Sequence, residues 1–126
     1  MLRIDAQNPV ANALAERLMT RINFDALPEE LCVVIGGDGF MLESIRTVGA
    51  GHVFLGLNAG RVGFLLNDAE DFESTIEAIE SQQWEIHTFP RLAMRATHTT
   101  GAPTSEAMAV NDVYLERMSG QTAHLQ

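Results

Sequence analysis

Residues 36 to 39, Gly-Gly-Asp-Gly, set one carboxylate, Asp38, among three glycines. Glycines let backbone amides approach an anion, and a helix N-terminus adds partial positive charge, so a glycine turn between strand and helix makes a phosphate cradle. A carboxylate in that cradle repels phosphate. It belongs there if it holds a metal or accepts a proton from an attacking hydroxyl, which is the chemistry of phosphoryl transfer. The plainer reading is a tight turn in which Asp38 only bonds local amides.

A second glycine-rich stretch, Gly56 to Leu65, follows another apolar run. Two such turns after successive parallel strands face each other across the carboxyl edge of a sheet, where α/β proteins bind ligands. There Asn58 is placed to orient a phosphate or hydroxyl, and Phe64 and Leu65 to meet a base or ribose. Loop glycines and a core Phe64 explain the same residues without a ligand. Arg61 is either a phosphate partner or a solvated surface arginine. Further on, Asn111-Asp112 interrupts Met108 to Leu115. An amide beside a carboxylate within a strand must face solvent, a bulge or a ligand, and the pair offers donor and acceptor atoms for a ribose diol or an adenine edge.

Composition narrows the classes. Seventeen acids oppose eight bases, a formal charge of -9, which gives no footprint for nucleic acid or an anionic membrane. All eight bases are arginines, so this stretch has no P-loop lysine and no Schiff base. Cys32 is the single cysteine, inside an apolar run, which rules out a disulfide framework and predicts a buried thiol. His52, His87, His98 and His124 lack ligand spacing, so no protein metal site is assigned. No apolar run approaches the ~20 residues of a membrane span, and no signal peptide is visible, so a cytoplasmic, soluble protein is expected.

The elements that must position these groups follow from pattern. Asn8-Pro9 reads as a helix N-cap and first turn, with Val10, Leu14, Leu18 and Ile22 recurring to about Asn23. Leu31 to Ile35 lacks polar alternation and reads as a strand buried on both faces. Met41, Ile45 and Val48 share a helix face that Gly49 and Gly51 end. His52 to Asn58 is a strand, and Asp68 caps a helix with Phe72, Ile76 and Ile79 inward and Glu70, Glu73, Glu77 and Glu80 outward. Phe40 reads as core in preference to a wall of the phosphate site. From Trp84 to Thr100 the chain is β-rich with a break at Pro90. Gly101 to Ser105 turns into a strand from Ala107 to Met118, and Thr122 to Gln126 opens another. The expectation is an α/β, Rossmann-like parallel sheet with flanking helices over residues 1–82. The start of a β-rich, β-sandwich-like second domain follows over 83–126.

In order and spacing, Val33 to Gly39, then Gly56 to Leu65, then Asn111-Asp112-Val113 resemble the NAD kinase family over roughly residues 31–118. The first motif alone is shared with diacylglycerol and sphingosine kinases and phosphofructokinases; the three together are specific. The resemblance implies transfer of the γ-phosphoryl group of ATP, or of polyphosphate in some members, to the 2′-hydroxyl of the adenosine ribose of NAD. It implies Asp38 as the acid-base residue, with a divalent metal such as Mg²⁺ neutralising the moving phosphate. Nucleotide contacts would fall on Gly36, Gly37, Gly39, Leu42, Asn58, Gly63, Phe64, Asn111 and Asp112, in a homo-oligomer, dimer or tetramer, whose small-molecule partners are nucleotides. Three departures stand out. Phe40 replaces the usual threonine, Asp112 the usual glutamate, and the family's second half is missing, so inactivity of the segment alone is expected. The competing readings are a diacylglycerol-type lipid kinase and a non-catalytic nucleotide-binding fragment.

Overall fold

The computed structural model describes residues 1–49, 51–61, 63–97, 101 and 103–114. The chain divides into two compact units, Met1–Ile86 and His87–Gln126.

In the first unit, β1 (Leu2–Ile4) leads to α1 (Pro9–Met19), a 3-10 turn (Phe24–Ala26), β2 (Leu31–Gly36), α2 (Asp38–Val48), β3 (Val53–Asn58) and α3 (Phe72–Glu80). The three strands are parallel in the order β1-β2-β3, with Ile4 opposite Ile35 and Ile35 opposite Leu57. This is the α/β, Rossmann-like sheet with flanking helices that the pattern predicts. All six residues of β2 are buried, as its unbroken apolar run requires. Leu31, Val33 and Ile35 pack with Leu14, Leu18, Ile76 and Ile79 of α1 and α3. Cys32 and Val34 pack on Met41 of α2, supported by Ile45 and Val48. Alternate β2 residues therefore face opposite helical layers.

That division has a topological consequence. The steps β1 to β2 and β2 to β3 move in one direction across the sheet, yet α1 and α2 lie on opposite faces. The two crossovers must have opposite hands, so one is the uncommon left-handed kind. Helices thereby cover both faces of β2. The glycine turn at its end is anchored in the best-packed part of the unit.

Several boundaries differ from expectation. Asn8 does cap α1, its Oδ1 accepting from the N–H groups of Val10 and Ala11, with Pro9 in the first turn. The helix stops at Met19, and Ile22 joins the core from the following turn. Val10 is 59% exposed. A strict spacing of four drifts around a 3.6-residue helix, and the buried face is Ala11, Leu14, Ala15 and Leu18 instead. Asp71, not Asp68, caps α3: it accepts from the backbone N–H and the hydroxyl of Ser74, at 3.2 and 2.7 Å. Asp68 only closes a local turn with the N–H of Glu70, and Glu70 precedes the helix. A hydroxyl three residues after Asp71 decides between two acids that each suit a cap. Glu73 looks outward as expected, and on that exposed face it pairs with Arg21 through two hydrogen bonds. Gly49 ends α2 at φ +87°, where a side chain would be strained.

Cys32 is fully buried, and burial pushes its thiol above the ordinary value. It should resist thiol reagents until the protein unfolds. Because the folded pKa is raised, the associated stability is complete below the unfolded thiol's pKa and is lost as pH rises through the folded value. A labelling time course at rising pH checks both points; rapid native-state labelling would contradict the burial.

The second unit contains β4 (Leu92–Ala96) and β5 (Ser105–Ala109), antiparallel, with Leu92 opposite Ala109 and Ala96 opposite Ser105. Trp84 to Arg91 is not strand, and Trp84 packs against the core of the first unit to which it belongs. The later strand begins at Ser105 and ends at Ala109, short of the predicted Met118. Residues 115–118 and the strand predicted from Thr122 lie outside the described residues.

Candidate functional site

The site is built where the three parallel strands end. Gly36 of β2 stands opposite Asn58 of β3, so the two glycine-rich turns leave the sheet side by side. The N–H of Ala59 donates to the Gly36 carbonyl at 2.8 Å, binding the turns together at their base. Asn67 closes the second turn. Its carbonyl accepts from the N–H of Asn58 at 2.8 Å, and its backbone N–H and Nδ2 both donate to the Gly56 carbonyl. From β1, the N–H of Asp5 donates to the Ile35 carbonyl, and Asn8 Nδ2 donates to the Ala59 carbonyl at 3.1 Å.

Asn8 thus serves twice, capping α1 and tethering the second turn. Sequence reasoning found only the cap, and missed Asp5 and Asn67 altogether, because backbone pairing across the sheet edge leaves no local pattern. Asn8→Ala should cost about 1–2 kcal/mol, since a cap is lost and a half-buried carbonyl loses its donor. Asn8→Asp should retain the cap but not the tether. Chemical denaturation of both variants separates the two roles; equal stability of Asn8→Ala and wild type would refute them.

At the first turn, Gly37 is the N-cap of α2 in an extended conformation, φ -110° and ψ 177°, and no side chain caps the helix. Its leading amides are free to meet an anion. None of the turn's three glycines takes a positive φ, and only Gly36 is required by space. A Cβ on Gly36 would lie 2.9 Å from Phe40 Cδ1 and 3.2 Å from Asp5 Cβ. Cβ atoms on Gly37 and Gly39 would meet nothing within 4 Å, so the approach to the helix end is open there.

Asp38, the first residue of α2, turns its carboxylate to the second turn. Oδ1 and Oδ2 accept the Phe64 N–H at 3.1 and 3.0 Å, and Oδ1 also accepts the Leu65 N–H at 3.1 Å. The amides bound by Asp38 are therefore not local. They lie 26 and 27 residues away, and the carboxylate is the clasp between the two turns. An acid in the first helical turn is also favoured by the helix dipole.

The remaining predicted residues divide. Asn58 Oδ1 accepts the Gly60 N–H at 2.8 Å, and a Cβ on Gly63 would press on the Asn58 amide at 3.1 Å. Both shape the second turn. Phe64 is 89% exposed, so the core alternative fails for it. Phe40 is half-buried against the α2 core, with the Arg3 guanidinium 5.7 Å from its ring centre, as the core reading expects. Leu42 is half-buried within α2. Asn111 and Asp112 belong to the second unit, where both are exposed after a bend that follows β5. They do not interrupt a strand; the strand has already ended at Ala109. No group of three or more His, Cys, Asp or Glu that could hold a metal occurs among the described residues.

No family model matches the chain. Individual proteins do. The chain is 36% identical over 125 residues to an NAD kinase of Caulobacter vibrioides, covering 96% of this chain and 46% of that protein. It is 35% identical over 118 residues to an NAD kinase of Mesorhizobium japonicum, covering 92% and 44%. It is 40% identical over 98 residues to an NAD kinase of Brucella suis, covering 77% and 37%. The chain spans less than half the length of these curated relatives.

Proposed function

We propose, from the premise that this chain belongs to the NAD kinase family, that it supplies the catalytic turns of an enzyme that phosphorylates NAD to NADP. The donor is ATP, with polyphosphate as the alternative, and the acceptor is the 2′-hydroxyl of the adenosine ribose. One observation carries the reading: a half-buried carboxylate at an uncapped helix N-terminus clasps the facing turn through two backbone amides.

In this mechanism the acceptor hydroxyl takes the place of one amide at Asp38, whose carboxylate removes its proton. The ribose oxygen forms a bond to the γ-phosphorus as the bond from that phosphorus to the β-bridging oxygen breaks, leaving ADP. The open amides at Gly37 and Gly39 hold phosphate oxygens, and exposed Phe64 offers a face for the adenine or ribose. Asn58 and Gly63 keep the second turn in shape. The family resemblance alone assigns Asn111 and Asp112, in the second unit, to the nucleoside.

A divalent ion fits this chemistry without a protein cage, because Mg²⁺ keeps much of its water and binds through one or two carboxylates and substrate phosphates. Asp5 and Asp38 are the carboxylates this edge supplies, and the ion's contribution is neutralisation of phosphate charge. We take the enzyme to be a cytoplasmic homo-oligomer, and this segment to be inactive alone. No helix among the described residues is long and apolar enough to cross a membrane.

Titration of the ¹⁵N-labelled protein with NAD tests the site. Shifts should concentrate at the amides of Gly37, Gly39 and residues 58–65. Binding that leaves those amides unmoved would defeat this placement.

A further inference from the structure

Not every guanidinium among the described residues has a carboxylate partner. Arg21, Arg46 and Arg95 each engage a glutamate, and Arg3 donates to the buried Ser44 hydroxyl. Arg17 and Arg61 have no carboxylate partner among the described residues, despite the excess of acids in the chain. Both line one cavity of about 330 Å³ between α1 and the second turn. That volume lies at the small end of ligand pockets, about 300–1,000 Å³.

The walls specify a chemistry. Arg17 is stacked on the Phe72 ring at 3.9 Å, which orients its guanidinium plane. Ala13 and Leu14 give an apolar side, and Asp68 and Glu70 stand on the rim. Two unpaired guanidiniums suit a phosphate, which each can grip through paired N–H donors. Acids beside them would repel a bare anion but accept hydrogen bonds from hydroxyls. Such walls suit a phosphate that carries a sugar better than inorganic phosphate.

We propose that this cavity is a binding site for a small phosphate ester of a sugar or nucleoside, its phosphate on Arg17 and Arg61 and its hydroxyls toward Asp68 and Glu70. The site is separate from the Asp38 carboxylate and does not depend on the phosphoryl-transfer reading. Asn58 and Arg61 nevertheless belong to the turn that Asp38 clasps.

Calorimetric titration of the protein with ribose 5-phosphate, AMP, ribose and inorganic phosphate tests the assignment. A phosphorylated ligand should bind, ribose and inorganic phosphate should bind at least tenfold more weakly, and Arg61→Gln should weaken binding roughly ten- to hundredfold. Arg17→Gln should do the same with Arg17→Lys between. If losing the Phe72 stack unfolds that variant, Arg61→Gln, at an exposed position, decides alone. Arg91→Gln and saturating NAD should leave this binding unchanged. AMP bound better than ribose 5-phosphate assigns a nucleoside; the reverse assigns a sugar. Undiminished binding in a folded Arg61→Gln protein overturns the proposal. So does inorganic phosphate binding as tightly as the esters, or ester binding abolished by saturating NAD.

Discussion

Asp38→Asn is expected to lower turnover by about 10²–10⁴-fold, the usual contribution of a positioned general base. NAD affinity should stay within a few-fold of wild type. The amide is nearly the shape of the carboxylate, and its one oxygen can still accept the Phe64 and Leu65 N–H groups that now bond Oδ1. What it cannot do is take the hydroxyl proton. Its nitrogen also replaces Oδ2, which accepts from Phe64 at 3.0 Å, so a small loosening of the clasp is expected. Turnover, NAD binding and thermal midpoint measured together separate the two effects. Undiminished turnover, or loss of the fold, would remove Asp38 from the chemical role.

Gly56→Val should destabilise the protein by about 3 kcal/mol, the upper end for overpacking a filled core. Gly56 is buried in β3, and even one added carbon would lie 2.5 Å from Met41 Cε and 2.9 Å from Leu66 Cγ. Met41 follows Asp38 on α2, and Leu66 follows the amides that Asp38 binds. Pushing them apart opens the clasp from beneath. Gly56→Ala should show a smaller form of the same effect, because the end of the Met41 side chain can swing away more easily than Leu66 Cγ, which is close to its backbone. Denaturant midpoints give the stability, and exchange rates of the Phe64 and Leu65 amides report the clasp. Wild-type stability in Gly56→Val would mean that the two turns are not packed as closely as described.

The parts of this molecule that sequence makes legible are those with a local signature. The buried strand Leu31–Gly36, the Asn8-Pro9 helix start and the stop at Gly49 each rest on a short-range rule, and each is present. The two turns also come together as their strand order requires. The exact partners of Asp38 were not legible. Its oxygens are bound by backbone groups of Phe64 and Leu65, and a backbone N–H has no identity in sequence. The Asn8–Ala59 tether is hidden for the same reason. Asn111-Asp112 misled in another way: apolar residues on both sides suggested a continuous strand, whereas the polar pair follows a strand end. Val10 shows that apolar character does not fix burial when a helix has a better face to offer.

Phe64 gains significance from the structure. An exposed aromatic beside amides bound to the Asp38 carboxylate is poorly explained by packing, and its face is open to stacking. The second glycine turn therefore presents an exposed ring while its Asn58 and Gly63 shape the backbone.

The most direct test is NADP formation from NAD and Mg-ATP by the full-length protein, with polyphosphate as a parallel donor and Asp38→Asn alongside. The account predicts phosphate on the 2′-hydroxyl of the adenosine ribose in wild type and its near absence in the variant. A folded full-length protein that forms no NADP with either donor, or whose Asp38→Asn variant forms it as fast, would contradict it.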